Sequence, residues 1–123
     1  MGSVGIDLIE INRIKKSMQR ESFLKRILGE DEYIELEKRK FPIQSVAANF
    51  CAKEAFLKSL GKGLSFCNLN NIEILRKQSG EPYLKLSGKA LKYSQENNLD
   101  FSISLTHTKE YACAVVISKL KEN

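Results

Sequence analysis

The stretch from Gln44 to Leu60 constrains this chain more than any other. Its apolar residues, Val46, Ala47, Ala48, Phe50, Cys51, Ala52, Ala55, Phe56, Leu57 and Leu60, fall almost all the way round a helical wheel. A helix that is apolar on every side cannot lie on a surface, so it must be central, with other elements covering it. Gly61-Lys62-Gly63 follows directly, and glycine readily takes the left-handed conformation that ends a helix. The rest of the chain must supply the cover.

The covering pieces can be read in order. Val4 to Ile11 is rich in branched apolar residues interrupted by Asp7 and Glu10, the pattern of a strand. Asn12 is placed to cap a helix carrying Arg13, Ile14 and Met18. Ser22 to Leu28 and Asp31 to Lys40 read as helical, stopped by Gly29 and by Phe41-Pro42. Asn71 to Leu75 and Tyr83 to Leu86 are short strands around the turn from Gln78 to Pro82. Ser87 can cap a helix from Gly88 to Glu96. Phe101 to Thr106 alternates, with Phe101, Ile103 and Leu105 on one face, and Tyr111 to Ser118 returns after a turn at Thr108 to Glu110. No repeat, low-complexity run or linker divides the 123 residues, so a single domain over 1–123 is expected. The fold class expected is α+β, an antiparallel sheet packed on one long central helix.

Charge and cysteine usage narrow the function. The chain carries 20 Lys+Arg against 15 Asp+Glu, a net of +5. Between Asn12 and Arg26 lie Arg13, Lys15, Lys16, Arg20, Lys25 and Arg26 against the single acid Glu21. That local surplus suits an anionic partner, whether nucleic acid, acidic membrane or acidic protein, although on this feature alone a solvated helix face is the favoured reading. Cys51, Cys67 and Cys113 are widely spaced, form no CxxC pair and accompany one histidine, which argues against zinc and for reduced core thiols. No run approaches the ~20 apolar residues of a membrane span, and the N-terminal segment lacks a secretory pattern. A cytoplasmic protein is expected.

A few polar residues stand where a purely structural chain would not put them. Glu54 and Lys58 are four apart and share one face of the central helix. On a surface they would be an ordinary ion pair, but the apolar surroundings suggest a site instead. Asp7 breaks an apolar strand, as an incidental strand-end carboxylate or as a metal ligand. Mg²⁺ takes few protein carboxylates and fills its shell with water and phosphate oxygens, so Asp7 and Glu54 would be a sufficient pair. His107, flanked by Thr106 and Thr108 where a strand enters a turn, is either a surface histidine or a donor to phosphate oxygens. The loop Gly61-Lys62-Gly63-Leu64-Ser65 lacks the spacing of a Walker loop and follows a helix. It is a helix C-cap that could also bring backbone N–H groups to a phosphate.

Taken together, these pieces resemble one family. GIDLIEINRI, Gly5 to Ile14, looks like the N-terminal signature of bacterial holo-acyl-carrier-protein synthases. NFCAKEAFLKSLGKG, Asn49 to Gly63, resembles their second signature, and SISLTHTKEYACAVV, Ser102 to Val116, is similar to their C-terminal strand pair. KEA alone is a weak signal; three blocks in register across almost the whole chain are a strong one. The resemblance implies the 4′-phosphopantetheinyl transferase fold and transfer of 4′-phosphopantetheine from coenzyme A to a serine of acyl carrier protein, in fatty acid biosynthesis. It implies that Asp7 and Glu54 bind Mg²⁺ on the coenzyme A pyrophosphate. Lys58 would neutralise phosphate charge or help deprotonate the serine. Thr106 and His107 would line the nucleotide side of the cleft, and Gly61, Lys62 and Gly63 would meet the 3′,5′-ADP part. Arg13, with Arg20 and Arg26, would dock the acidic carrier. Homotrimers with sites between subunits are implied as well.

One departure stands out. Asn49 occupies a position where such proteins often carry arginine, and Lys53 is expected to supply the missing phosphate contact. Cys51, where a small residue is usual, is expected to act as a small apolar group. Two rival functions remain. A basic nucleic-acid-binding module would use the Arg13 to Arg26 patch, but aromatics are only 8% and Asp7 and Glu54 would have no role. Some other Mg²⁺-dependent phosphotransferase is the second.

Overall fold

The structure, a computed structural model, is described for residues 2–122; Met1 and Asn123 of the expected 1–123 domain lie outside the described residues. The chain runs β1 (Ser3–Glu10), α1 (Ile11–Ser17), α2 (Glu21–Ile27), α3 (Glu30–Lys38), α4 (Ile43–Ser59), a 3₁₀ turn (Leu69–Asn71), β2 (Ile72–Arg76), β3 (Pro82–Leu86), α5 (Gly88–Glu96), β4 (Leu99–His107) and β5 (Tyr111–Leu120). The α+β expectation holds, with one addition. The strands form two antiparallel sheets, β1-β5-β4 and the β2-β3 hairpin, rather than one.

Helix α4 is the axis of the molecule, as its all-round apolar pattern requires. Val46, Ala47, Cys51, Ala52, Ala55 and Phe56 are fully buried on it. It packs against β1 and β5 on one side and against β2 and α1 on others. Small residues set how close the sheet comes. Ala112 and Ala114 of β5 face the alanines of α4, and all are buried. At Gly5 a Cβ would stand 1.9 Å from the Ala55 carbonyl oxygen and 2.5 Å from the Ser59 nitrogen, so only glycine lets β1 cross α4 at this point. Further along the sheet the larger Phe56 and Phe101 rings meet at 4.9 Å.

Helix α4 ends in a Schellman motif. Gly61 adopts φ +69°, its N–H donates to the Lys58 carbonyl (3.0 Å), and Lys62 N–H donates to the Leu57 carbonyl (2.9 Å). Of two expected caps, Asn12 is corrected and Ser87 holds as the N-cap position of α5 without a capping bond. Helix α1 starts at Ile11, so Asn12 lies inside it as an exposed residue and caps nothing. The strand runs straight into the helix, and the Glu110 carbonyl from the β4–β5 turn accepts the Ile11 N–H (2.8 Å), so no side-chain cap is needed there. Ser87 precedes α5 without a side-chain capping bond, its hydroxyl instead accepting from Asn71 (3.4 Å).

Candidate active site

Strand β1 and helix α4 together build the site. Along β1, Gly5, Asp7 and Ile9 face α4, whereas Val4, Ile6 and Leu8 face outward and are exposed. The carboxylate is therefore on the buried side of its strand and the aliphatic residues on the open side. The close crossing at Gly5 sets Asp7, two residues on, against the C-terminal half of α4. There Lys58 Nζ lies 3.0 Å from Asp7 Oδ1 and 3.1 Å from the Ile6 carbonyl oxygen. Lys58 thus pairs with Asp7 across the two elements. A surface Glu54–Lys58 pair along the helix is absent among the described residues.

Glu54 sits one turn before Lys58, half-buried. Burial pushes its carboxyl above the ordinary value, and the neighbouring Asp7 pushes it further; Lys58 and Arg13 pull the other way. Two carboxylates share one half-buried spot, a strained arrangement unless a cation joins them. Lys58 is the nearest fixed cation, and Asp7 raises its pKa. Among the described residues no group of three or more His, Cys, Asp or Glu side chains converges. The donor set is the hard carboxylate oxygens of the buried Asp7, paired with the exposed Lys58, and of the half-buried Glu54. That fits a hard divalent ion such as Mg²⁺ completing its shell with water and phosphate, and does not fit zinc.

The other expected site residues divide. His107, at the end of β4, shares its β5 partner Ala112 with Ile9 of β1. In the sheet it is in phase with Asp7, two strands and one diagonal step away, roughly 12 Å by strand spacing and rise per residue. Thr106 has the opposite parity. It pairs with Cys113 and is exposed on the outer face of the sheet, so one chain does not bring Thr106 and His107 to the same side. Gly61, Lys62 and Gly63 continue from the end of α4 into solvent. Lys62 Nζ lies over the rings of Phe66 (5.3 Å) and Tyr93 (5.4 Å), beside Lys89, which lies 4.6 Å over Phe66. Arg13 on α1 is exposed yet close enough to Glu54 to lower its pKa, so the basic stretch reaches the site's rim. Arg20 and Arg26 are exposed farther along it.

Two expectations about α4 are overturned. Lys53 cannot reach a phosphate. It is fully buried, 2.7 Å from Glu32 Oε1, and donates to the carbonyls of Leu69 and Ile72. Asn49 is buried too, donating to Glu32 Oε2 (3.0 Å) and the Ile74 carbonyl (3.2 Å) while Arg76 donates to its Oδ1 (3.3 Å). Both lie on the side of α4 turned toward α3 and β2, where the Glu32 carboxylate also accepts the N–H groups of Gly29 and Ile74. Cys51 is not a plain apolar filler either. Its Sγ lies 3.1 Å from the Asp7 carbonyl oxygen and 3.3 Å from Asp7 Oδ2. The Phe66–Tyr93–Lys89 cluster had no signal in the sequence, because its members are distant in the chain and individually ordinary.

The chain as a whole is similar to known proteins. The family model described as the 4′-phosphopantetheinyl transferase superfamily matches residues 3–116. A holo-[acyl-carrier-protein] synthase from Chloroherpeton thalassium is 45% identical over 119 residues, covering 93% of this chain and 94% of the relative. A holo-(acyl-carrier-protein) synthase from Bacillus anthracis, solved in complex with CoA (3′,5′-ADP), superposes with TM-score 0.80 at 31% identity, covering 97% of this chain and 96% of that one. The Helicobacter pylori holo-[acyl-carrier-protein] synthase in complex with coenzyme A gives TM-score 0.79 at 29% identity, covering 94% and 99%.

Proposed function

The chain belongs to the 4′-phosphopantetheinyl transferase superfamily, and from that membership we propose its reaction: transfer of 4′-phosphopantetheine from coenzyme A to a serine of apo-acyl carrier protein, releasing adenosine 3′,5′-bisphosphate. The observation that carries this reading is the meeting of Asp7, Glu54 and Lys58 where β1 crosses α4. The full reading is one domain, as a homotrimer in the cytoplasm, serving fatty acid biosynthesis. The exposed apolar row on β1 supports self-association.

In this mechanism Asp7 and Glu54 would hold Mg²⁺, which when bound would supply positive charge beside the pyrophosphate and lower the cost of charge developing on the leaving group. The serine oxygen attacks the β-phosphorus, the P–O bond to the 3′,5′-ADP portion breaks, and the serine proton leaves to a base. Such transfer asks for positioning and charge neutralisation rather than a nucleophile from the enzyme. Lys58 is held protonated by Asp7, so it acts as a cation toward phosphate. Glu54, whose charge is disfavoured by burial and by Asp7, gains most from a cation at this spot. His107 and Lys62 stand on the flanks as donors to coenzyme A phosphates, with Gly61 and Gly63 leaving the backbone approachable and Thr106 offered across a subunit boundary. Arg13, Arg20 and Arg26 present positive charge to the acidic carrier, and Arg13 does so beside Glu54. A nucleic-acid partner would leave the paired carboxylates facing phosphates with nothing between them.

The test is intact mass spectrometry of apo-acyl carrier protein incubated with coenzyme A, Mg²⁺ and this protein. A gain of one phosphopantetheine, abolished by EDTA, is expected. Asp7→Ala and Glu54→Ala should each lose metal-dependent turnover by about a hundredfold or more while remaining folded. Near-parental rates in either variant would remove the metal assignment. No transfer onto a competent carrier would remove the reaction itself.

A further inference from the structure

Cys51 is fully buried on α4, directly behind Asp7. Its thiol faces three oxygen acceptors: the Asp7 carbonyl (3.1 Å), Asp7 Oδ2 (3.3 Å) and, more weakly, the Ala112 carbonyl (3.6 Å). The other Asp7 oxygen, Oδ1, is taken by Lys58. Oδ1 is therefore met from the solvent side by the exposed Lys58 ammonium, and Oδ2 from the core by a buried thiol whose single proton it shares with the Asp7 carbonyl. Only the second can hold the carboxylate in one rotamer when the exposed Lys58 moves. A thiol offers one S–H donor, and every neighbour within reach here is an oxygen acceptor. An S–H is a weak donor that costs little to bury, and no polar partner but Asp7 and a backbone carbonyl lies within its reach.

We infer that Cys51 is a positioning residue for the transfer reaction: its thiol, buried in α4, fixes the orientation of the Asp7 carboxylate that the metal and pyrophosphate meet. This rests on the assignment of Asp7 as a metal ligand. Ligating carboxylates are held by outer partners whose loss weakens metal binding without removing the site. The role is special to a residue with a donor at this position, since an aliphatic side chain of the same size would fill the space and leave Oδ2 unheld.

The experiment compares the full-length parent with Cys51→Ala, Cys51→Ser and Asp7→Ala. Mn²⁺ binding is followed by electron paramagnetic resonance in the presence of coenzyme A, and Mg²⁺ half-saturation is read from turnover. Cys51→Ala should weaken metal binding by about tenfold, with the KM for carrier protein unchanged, and Cys51→Ser should restore it because the hydroxyl still donates. Parental metal affinity in Cys51→Ala, or equal weakening in the alanine and serine variants, overturns the inference in favour of packing alone. A second readout leaves Cys51 in place. The S–H stretching band of the parent should move to higher frequency in Asp7→Ala, as the bond to carboxylate is lost, and an unmoved band overturns the inference. If Asp7→Ala binds Mn²⁺ like the parent, the metal role of Asp7 fails, whatever the Cys51 variants do.

Discussion

At the scale of single residues, the site sets one disfavoured charge, on Glu54, beside one favoured charge, on Lys58. Glu54 ionises above its ordinary value because burial and Asp7 disfavour its charge. The protonated carboxyl is favoured in the folded protein, so the folded state binds more protons than the unfolded chain just above the ordinary value of 4.5. The stability that protonation supplies is present at acid pH and is lost as pH rises from there through the folded value. The metal-free protein should therefore melt at progressively lower temperature across that rise, and saturating Mg²⁺ should flatten the slope. Glu54→Gln should flatten it without metal while abolishing efficient transfer, an exchange of function for stability. Scanning calorimetry against pH decides this, and a slope in Glu54→Gln equal to the parent's would locate the strain elsewhere.

At the scale of elements, α4 has two polar edges with separate duties. Glu54 and Lys58 serve the side toward β1, whereas Asn49 and Lys53 serve the side toward α3 and β2. The second edge is structural. Glu32 and Lys53 are both buried; desolvation pushes the carboxyl up and the ammonium down, against the pull of the pair itself. Removing one member leaves the other uncompensated in the core, at a cost of about 3–5 kcal/mol. Lys53→Met should lower unfolding stability in urea by that much, and Glu32→Gln with Lys53→Met should recover most of it. If Lys53→Met keeps parental stability yet loses coenzyme A affinity, Lys53 is a phosphate ligand after all.

At the scale of the molecule, the outer face of the sheet β1-β5-β4 is apolar along β1 and β5 and turns polar on β4, where Asp100, Ser102, Ser104 and Thr106 are exposed. The inner face lies on α4, and the outer face presents Val4, Ile6, Leu8, Tyr111 and Ile117, with Ile6 at 61% exposure. An antiparallel sheet ordinarily turns a polar face to water, and a contiguous apolar patch of this kind marks an interface. The same face carries Thr106, which a lone chain separates from His107. The proposed association through this face would cover the apolar row and carry the outward-facing threonine to a neighbouring subunit. Ile6→Glu should give a monomer in size-exclusion chromatography with light scattering, with the fold retained by circular dichroism and transfer reduced by at least about tenfold, as expected when a site loses groups that position its substrate. A monomeric parent, or a fully active monomeric variant, would count against sites shared between subunits.

Much of this was legible in the chain alone because it depends on local pattern. The all-round apolar run of α4, the glycine that stops it, the alternation of β4 and the i, i+4 spacing of Glu54 and Lys58 are each set by neighbours a few residues away. The odd carboxylate at Asp7 was legible for the same reason, since it breaks a local pattern. Three things required the folded molecule. Asn49 and Lys53 share a polar signature with Glu54 and Lys58, and only the packing of α3 and β2 shows which edge of α4 is closed. Cys51 reads as a small apolar residue until β1 crosses α4 and puts Asp7 against its sulfur. The outward turn of Val4, Ile6 and Leu8 depends on Gly5, because the residue that can touch α4 must be the one without a side chain. Sequence determined which residues could be buried or charged together; which face of each element met which neighbour was decided by close approach of backbone and by pairing of buried charge, and those are properties of the assembled fold.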